Sequence, residues 1–173
     1  MAAKRVLIIS ADHFEDTELL CPMNRLIEAG CSVDIAAPNK GKITGKKGYA
    51  VQAHLSVKDL PEDPAAEYDL LLLPGGKAPA QLRRIDAVLA VAKRFDAAQK
   101  PIAAICHGPQ VLISAGLMQG KTATSYTSVA QELQEAGASY VDEEVVVDGN
   151  YIFSRNPNDI PAFNREMMQK LEA

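Results

Sequence analysis

Three short and almost uninterrupted apolar segments restrict the fold of this chain more than any other feature of its sequence. They occupy residues 5–10 (RVLIIS), 69–73 (DLLLL) and 102–105 (IAAI). A strand is apolar along its whole length when both of its faces are covered, as in a parallel sheet with helices on each side. Other segments alternate with these three, at residues 17–29 (helix), 32–37 (strand) and 87–98 (helix). This alternation predicts a doubly wound α/β fold with a mostly parallel sheet.

The rest of the chain predicts hairpins at the periphery and one terminal helix. Glycines, alternating residues and turn signals place these elements at residues 40–60 (hairpin), 120–126 (short strand), 129–136 (helix) and 144–154 (hairpin). Asn158 and Asp159 are predicted to cap the final helix. No linker or repeat interrupts the sequence, so we expect residues 1–173 to form a single domain.

The charge of the chain argues against nucleic acid as a partner. The 173 residues carry a formal net charge of −4, which gives no general attraction to a phosphate backbone. The one basic cluster, formed by Lys40, Lys42, Lys46 and Lys47, has no interleaved aromatic side chains that could stack on bases. We interpret it as a solvated hairpin loop rather than a phosphate-binding patch.

Cysteine usage and hydropathy indicate a cytoplasmic protein. The three cysteines, Cys21, Cys31 and Cys106, leave an odd thiol and lack the spacing of metal ligands, which suits a reducing compartment. No run of about 18 apolar residues predicts a membrane span. We expect neither a metal site nor an organic cofactor.

Residues 101–116 (PIAAICHGPQVLISAG) have the sequence form of a strand, a sharp turn and a helix. Gly108 allows close backbone passage in the turn, and Pro109 suits the first turn of the helix. Cys106 would then lie at the tip of a nucleophile elbow, with its thiol at the positive end of the helix dipole, which we expect to lower the pKa of the thiol. The alternative is a buried structural cysteine at the end of a strand.

Residues suited to chemistry follow three of the predicted strands. Residues 12–16 follow the first strand, Gly75 and Gly76 follow the second apolar segment, and Cys106 and His107 follow the third. Ligands of open α/β sheets bind outside the carboxyl ends of the strands, so we expect these residues to converge. The glycine turn and the His107 amide are candidate donors to an oxyanion. The alternative for the glycine pair is a plain tight turn.

Glu15 is the acid that we expect beside the thiol. A protonated carboxyl donates a hydrogen bond to sulfur and lowers the pKa of the thiol, whereas an ionised carboxylate raises it. Glu15 would therefore have to be desolvated and neutral near pH 7. Its alternative role is that of an acid at a helix N-terminus.

The chain has only three histidines, His13, His54 and His107, and none lies downstream of the elbow. Within one subunit, this excludes the order of residues found in class I glutamine amidotransferases and in papain-like enzymes. His107 is the candidate base, and His13 is a weaker candidate.

Several motifs together resemble the PfpI family of the ThiJ/PfpI superfamily. They are FEDTEL (14–19), ITGKKGY (43–49), LLLPGG (71–76), AICHGPQ (104–110), TSY (124–126) and EVVVDGN (144–150). The resemblance implies a flavodoxin-like three-layer α/β sandwich with a nucleophile elbow, assembled as a homo-oligomer such as a dimer or hexamer. By position it implies that Cys106 is the nucleophile, His107 the adjacent histidine and Glu15 the acid hydrogen-bonded to the thiol. It also implies that the backbone amides of Gly76 and His107 bind the oxyanion, with Tyr126 as a substrate-binding residue.

One position departs from the family pattern. Family members classed as intracellular peptidases carry a motif R-A-P-E, whose glutamate reaches the catalytic histidine from a neighbouring subunit. This chain has KAPA at residues 77–80, so Ala80 replaces the acid. An imidazole without an orienting carboxylate loses tautomer control and stabilisation of its cation. Asp86 is a candidate substitute that nothing in the sequence positions.

Three functions are consistent with these residues. The first is a cysteine-dependent hydrolase or lyase that acts on 2-oxoaldehydes such as methylglyoxal, or on their early protein adducts, as described for glyoxalase and deglycase members of the superfamily. The second is an intracellular cysteine peptidase or amidase, which the replacement at Ala80 weakens. The third is a redox-sensing or chaperone-like stress protein in which Cys106 is oxidised without turnover.

Overall fold

The computed structural model describes residues 2–173, and a seven-stranded sheet forms its centre. The strands are β1 (Arg5–Ile9), β2 (Ser32–Ala37), β3 (Gly41–Thr44), β4 (Ala50–Ala53), β5 (Leu55–Ser56), β6 (Leu70–Leu73), β7 (Ile102–Ile105), β8 (Thr122–Ala123), β9 (Ser139–Tyr140), β10 (Val146–Asp148) and β11 (Tyr151–Ser154). The α-helices are α1 (Asp16–Glu28), α2 (Ala78–Leu82), α3 (Asp86–Ala97), α4 (Pro109–Ser114), α5 (Ala130–Glu135) and α6 (Ile160–Glu172). Among residues 2–173, no helix combines the length and apolar character needed to cross a membrane.

The order of strands in the main sheet is β10-β11-β7-β6-β1-β2-β5. All neighbouring pairs are parallel except β10 and β11. Helices α1 and α6 pack against each other, while α3 packs against β6, β7 and α4. The prediction of a mostly parallel α/β sheet flanked by helices is confirmed.

The three apolar segments form the centre of the core. Every residue of Leu70–Leu73 and Ile102–Ile105 is buried, and so are the last four residues of β1. Side chains of α3 and α6, among them Phe95 and Phe163, are also fully buried. The central strands are therefore covered on both faces, as their unbroken apolar sequences predicted.

The excursion between β2 and β6 differs in part from the predicted hairpin. β3 and β4 form a separate antiparallel pair, but β5 returns to the main sheet and pairs with β2. The short strand β8 likewise lies outside the main sheet and pairs with β9.

The prediction that Asp159 caps the final helix is wrong for its side chain, which makes no capping hydrogen bond. Its carboxylate accepts hydrogen bonds at 2.9 Å from the backbone N–H and the guanidinium of Arg155. A guanidinium satisfies both carboxylate oxygens in one geometry, so this partner replaces the helix amides.

Candidate active site

The sharp turn after β7 presents Cys106 at the carboxyl edge of the sheet. Cys106 has a φ of +64°, a left-handed backbone conformation that is uncommon for a residue with a side chain. Gly108 then passes close to β6 and β7: a Cβ there would collide with the Leu73 carbonyl oxygen and lie 2.9 Å from that of Ile105. The strand, strained turn and helix predicted from residues 101–116 are therefore present, and the Cys106 side chain lies at their tip.

The strained turn brings two sequence neighbours into contact. The Sγ atom of Cys106 lies 3.3 Å from Nδ1 of His107. The other ring nitrogen of His107, Nε2, lies 3.4 Å from the Ser128 hydroxyl, and the imidazole stacks on Tyr126 with ring centroids 5.0 Å apart. With its proton on Nε2, facing Ser128, the imidazole can accept a proton from the thiol at Nδ1.

The environment of His107 favours its neutral form. Burial lowers the pKa of the imidazole, and the ammonium of Lys46 lowers it further, although Glu132 opposes this effect. A neutral imidazole is a proton acceptor, which suits a general base. His13, the weaker candidate base, lies in the loop after β1 and is exposed.

The structure places Glu18, and not the predicted Glu15, against the thiol. Glu18 lies in the first turn of α1 and is completely buried. Its Oε1 atom accepts the backbone N–H of Gly75 at 3.0 Å, and its carboxyl lies close enough to the Cys106 thiol for each group to shift the pKa of the other. Burial raises the pKa of Glu18 from 4.5 to about 8, against smaller opposing effects of the Gly75 amide and Cys106. Glu18 therefore meets the requirement, stated above for Glu15, of a desolvated acid that is mostly neutral near pH 7.

The thiol responds to the protonation state of this acid. Burial and then the charge of Glu18 raise the pKa of the Cys106 thiol from 9.0 to about 12, so the lowering expected from the helix dipole is outweighed. The backbone amides of Gly76 and His107 oppose both effects by donating toward sulfur. When Glu18 is protonated, its charge is absent and its O–H can donate to the thiolate. The titrations of Cys106 and Glu18 are therefore coupled, and the thiolate is stabilised when the Glu18 carboxyl is protonated.

Both glycines after β6 are sterically required at this site. A Cβ on Gly75 would lie 2.5 Å from Glu18 Oε1 and 2.7 Å from the Cβ of Cys106. Gly76 has a φ of +83°, and a Cβ there would collide with the backbone that precedes α1. The predicted glycine pair is therefore more than a plain tight turn, because its compactness allows the amides and Glu18 to approach sulfur.

Glu15 lies at the same site but has different partners. One carboxylate oxygen is 3.2 Å from Lys46 Nζ, and the other is 3.3 Å from Lys47 Nζ. Both lysines are exposed, as predicted for a solvated hairpin, but they also pair with this buried carboxylate. Glu15 is thus an ion-pair partner of the β3–β4 hairpin rather than the direct neighbour of the thiol.

An open cleft of about 640 Å³ surrounds these groups. It is lined by Glu15, Glu18, Lys46, Gly76, Lys77, Ala80, Cys106, His107, Gln110, Tyr126 and Pro157. Ala80 is exposed on α2 and adds no acid to the cleft wall. Asp86, the candidate substitute, is exposed at the start of α3 and is not one of the lining residues.

The sequence motifs, the elbow and the fold agree with a comparison against known proteins. The model of the DJ-1/PfpI family matches residues 4–170. This chain belongs to the DJ-1/PfpI family. Two relatives named as deglycases, from Pyrococcus abyssi and Pyrococcus furiosus, are 46% and 44% identical to it over 168 residues, and each alignment covers 97% of this chain and 99% of the relative.

A solved structure extends this agreement to three dimensions. A two-domain protein of Anabaena variabilis, which contains DJ-1/ThiJ/PfpI-like and ferritin-like domains, superposes with a TM-score of 0.94 at 37% identity. The match covers 98% of this chain and 48% of that protein, so this chain spans about half of its length. The flavodoxin-like α/β fold expected for a PfpI relative is therefore confirmed.

Two residues of this DJ-1/PfpI site were missed by the sequence analysis. Glu18 has a detectable signal, because it forms a stripe at four-residue spacing with Pro22 and Leu26, both buried. An acid on the apolar stripe of a helix is a candidate for a desolvated carboxyl. Ser128 has no comparable signal, since only the path of the chain after β8 brings its hydroxyl to His107.

Proposed function

We propose that this DJ-1/PfpI-family protein is a cysteine-dependent enzyme that converts reactive 2-oxoaldehydes such as methylglyoxal, or their early adducts with amines and thiols, and so protects against glycation. The observation that carries the proposal is the convergence in one cleft of the Cys106 thiol, the His107 imidazole at 3.3 Å from it and the buried carboxyl of Glu18. The relatives named as deglycases support it. The site needs no cofactor for this chemistry.

The first step is addition of sulfur to the aldehyde. The Cys106 thiol transfers its proton to Nδ1 of His107, and the thiolate forms a C–S bond with the aldehyde carbon. The charge that develops on the aldehyde oxygen faces the amide donors of Gly76 and His107. Protonation of that oxygen gives a hemithioacetal and returns the imidazole to its neutral form.

The second step moves a proton between adjacent carbons. The ionised form of Glu18 removes the proton from the former aldehyde carbon, and its acid form returns a proton to the neighbouring carbon, while the hydroxyl proton on the former aldehyde oxygen passes to the former ketone oxygen. The product is a lactoyl thioester on Cys106. Water then cleaves the C–S bond, releasing lactate and regenerating the thiol. A pKa of about 8 for Glu18 suits both halves of this exchange.

A peptidase is the second candidate function. Amide hydrolysis requires a protonated imidazole to expel the leaving amine, and a carboxylate partner normally stabilises that cation. In this chain, Ser128 occupies that side of His107 and Ala80 supplies no acid. This arrangement favours aldehyde chemistry, where the leaving group is not an amide nitrogen. Assembly into a homo-oligomer, in which a neighbouring subunit could add a carboxylate, stays a prediction.

The test is methylglyoxal consumption with identification of the product for the parent protein and for Cys106→Ala. We expect the parent to form lactate and the variant to lose that activity. Equal rates in the two proteins would exclude a cysteine-dependent reaction. The buffer must contain neither primary amines nor thiols, because these bind the aldehyde reversibly and imitate deglycation.

A further inference from the structure

Part of the cleft lining is positively charged. Lys46 and Lys77 both line the cleft, and Lys47 pairs with the same carboxylate as Lys46. Among residues 2–173, Glu15 is the only carboxylate within 4 Å of the ammonium groups of Lys46 and Lys47, and no carboxylate lies within 4 Å of that of Lys77. The cleft is therefore cationic in a chain whose formal net charge is −4.

Lys46 lies on an anchored segment of backbone. Its own N–H donates to the Phe14 carbonyl at 2.9 Å. The buried carboxylate of Asp16 accepts the backbone N–H groups of Lys47 at 2.9 Å and Tyr49 at 3.0 Å. These bonds tie the hairpin tip to the start of α1, so the ammonium of Lys46 is delivered to the cleft by fixed backbone.

The other acids near the cleft do not cancel this charge. Glu18 is buried and mostly neutral near pH 7. Glu132, whose charge acts on His107, forms an ion pair with Arg83 and accepts a hydrogen bond from Gln110 at 3.3 Å. An anion that enters the cleft therefore meets ammonium groups and amide donors.

We propose that Lys46 is a carboxylate-binding residue and that the cleft selects aldehydes, or aldehyde adducts, that carry a carboxylate. This inference rests on the proposed function and deepens it, since it names the substrate class of the same cleft. Such substrates include 2-oxoaldehyde adducts of free amino acids, in which a carboxylate lies a few bonds from the reacting carbon.

Glu15 pairs with two lysines, so a substrate carboxylate can replace it at Lys46. When a substrate carboxylate binds Lys46, Glu15 keeps the ammonium of Lys47 at its other oxygen. No buried carboxylate is left without a cation, so the main penalty for breaking an ion pair is avoided. A neutral aldehyde gains no binding energy from the charge of Lys46, whereas a carboxylate-bearing aldehyde does. This difference in affinity makes the cleft selective for the charged substrate.

The test compares two alkylating agents that differ in charge, iodoacetate and iodoacetamide. Each forms a C–S bond with the cysteine thiolate and releases iodide. Mass spectrometry gives the rate ratio of iodoacetate to iodoacetamide at Cys106 and at exposed Cys21, which serves as an internal reference. We expect the ratio at Cys106 to exceed that at Cys21 by about 5-fold or more at low salt and to decline as salt is added.

Two variants assign the effect to Lys46. Lys46→Met should reduce the ratio at Cys106 to near the value at Cys21. Lys42→Met removes the same charge from an exposed position in the same hairpin and should leave the ratio unchanged. In the parent, lactate should slow alkylation of Cys106 by iodoacetamide, whereas the uncharged isostere lactamide should not.

The outcome separates this inference from the proposed function. Equal ratios at Cys106 and Cys21 in the parent, or an unchanged ratio in Lys46→Met, would overturn the anion selectivity even if methylglyoxal is consumed. An elevated ratio that depends on Lys46, in a protein that consumes no aldehyde, would support the carboxylate site and overturn the proposed reaction. The salt dependence in the parent decides the question if the variant does not fold.

Discussion

Glu18 Oε1 accepts the backbone N–H of Gly75 at 3.0 Å, and this bond holds a completely buried carboxyl against the Cys106 thiol. The two residues come from different parts of the sheet edge, since Glu18 lies on the helix after β1 and Gly75 follows β6. The acid is oriented by backbone rather than by a mobile side chain. Its protonation state, set by burial, then controls the charge next to sulfur.

Burial of Glu18 predicts a dependence of stability on pH. The folded pKa of about 8 lies above the ordinary value of 4.5, so the folded and unfolded states are both protonated below pH 4.5. As pH rises toward 8, the unfolded state ionises and the folded state does not, so stability is lost over this window. The free energy of unfolding of Glu18→Gln, minus that of the parent, should therefore increase between pH 5 and pH 8, on the order of 3 kcal/mol.

Urea denaturation at the two pH values measures this difference. Glu28→Gln is the matched control, because Glu28 lies on the same helix and is exposed. The control should follow the parent at both pH values. If the difference in free energy of unfolding between Glu18→Gln and the parent is the same at both pH values, the raised pKa of Glu18 is contradicted.

The same carboxyl predicts the reactivity of the thiol. Glu18→Leu removes the donor to sulfur, and we expect Cys106 to react with iodoacetamide about tenfold more slowly at pH 7. Glu18→Gln retains an N–H donor and should lose less. Alkylation of Cys21, followed in the same samples, reports any general change in accessibility. If Cys106 is alkylated in Glu18→Leu and Glu18→Gln at the same rate as in the parent, the carboxyl has no effect on the thiolate.

Gly75→Ala tests the close packing beneath the nucleophile. The added Cβ would lie 2.5 Å from Glu18 Oε1, so either the carboxyl or the turn must shift. We expect a loss of stability of about 1–3 kcal/mol. The rate of aldehyde consumption should fall further than in a variant that is destabilised to a similar extent away from the site. Gly149→Ala provides such a protein, because Gly149 has a φ of +57° in the β10–β11 turn with open space around it. If the two variants lose equal activity, the effect of Gly75→Ala is only one of stability.

Ala80→Glu tests why the peptidase function is weak. Ala80 stands where the peptidase motif has its glutamate, and a glutamate there would restore the acid that the motif supplies to the histidine of a neighbouring subunit. We expect a measurable rise in hydrolysis of a fluorogenic peptide, with no rise for the uncharged Ala80→Gln. An unchanged rate for Ala80→Glu would count against this explanation of the missing peptidase acid.

The fold could be predicted from sequence because its central strands carry local signals. Leu70–Leu73 and Ile102–Ile105 are continuous apolar segments, and each is followed at once by glycine-containing turns. Pairing partners have no such signal. That β5 would return to β2, or that Asp159 would prefer Arg155 to the helix amides, depends on tertiary contacts that propensities do not encode.

The candidate site could be predicted in part for the same reason. Cys106 and the glycine pair occupy turns whose conformations restrict the residue type, so the sequence identified them. Glu15 and Glu18 are two acids within one helical turn, and choosing between them requires the direction in which α1 faces the sheet. Glu15 faces the hairpin lysines, whereas Glu18 lies on the buried stripe of the helix.

The most direct test of the account is to look for the covalent intermediate on Cys106 during turnover. Parent protein is mixed with methylglyoxal and quenched in acid at intervals, and each cysteine peptide is analysed by mass spectrometry. We predict a hydroxylamine-sensitive lactoyl adduct on Cys106 alone, which decays as lactate appears. Formation of lactate while Cys106 stays unmodified and available for alkylation, or an adduct confined to Cys21 and Cys31, would contradict the account.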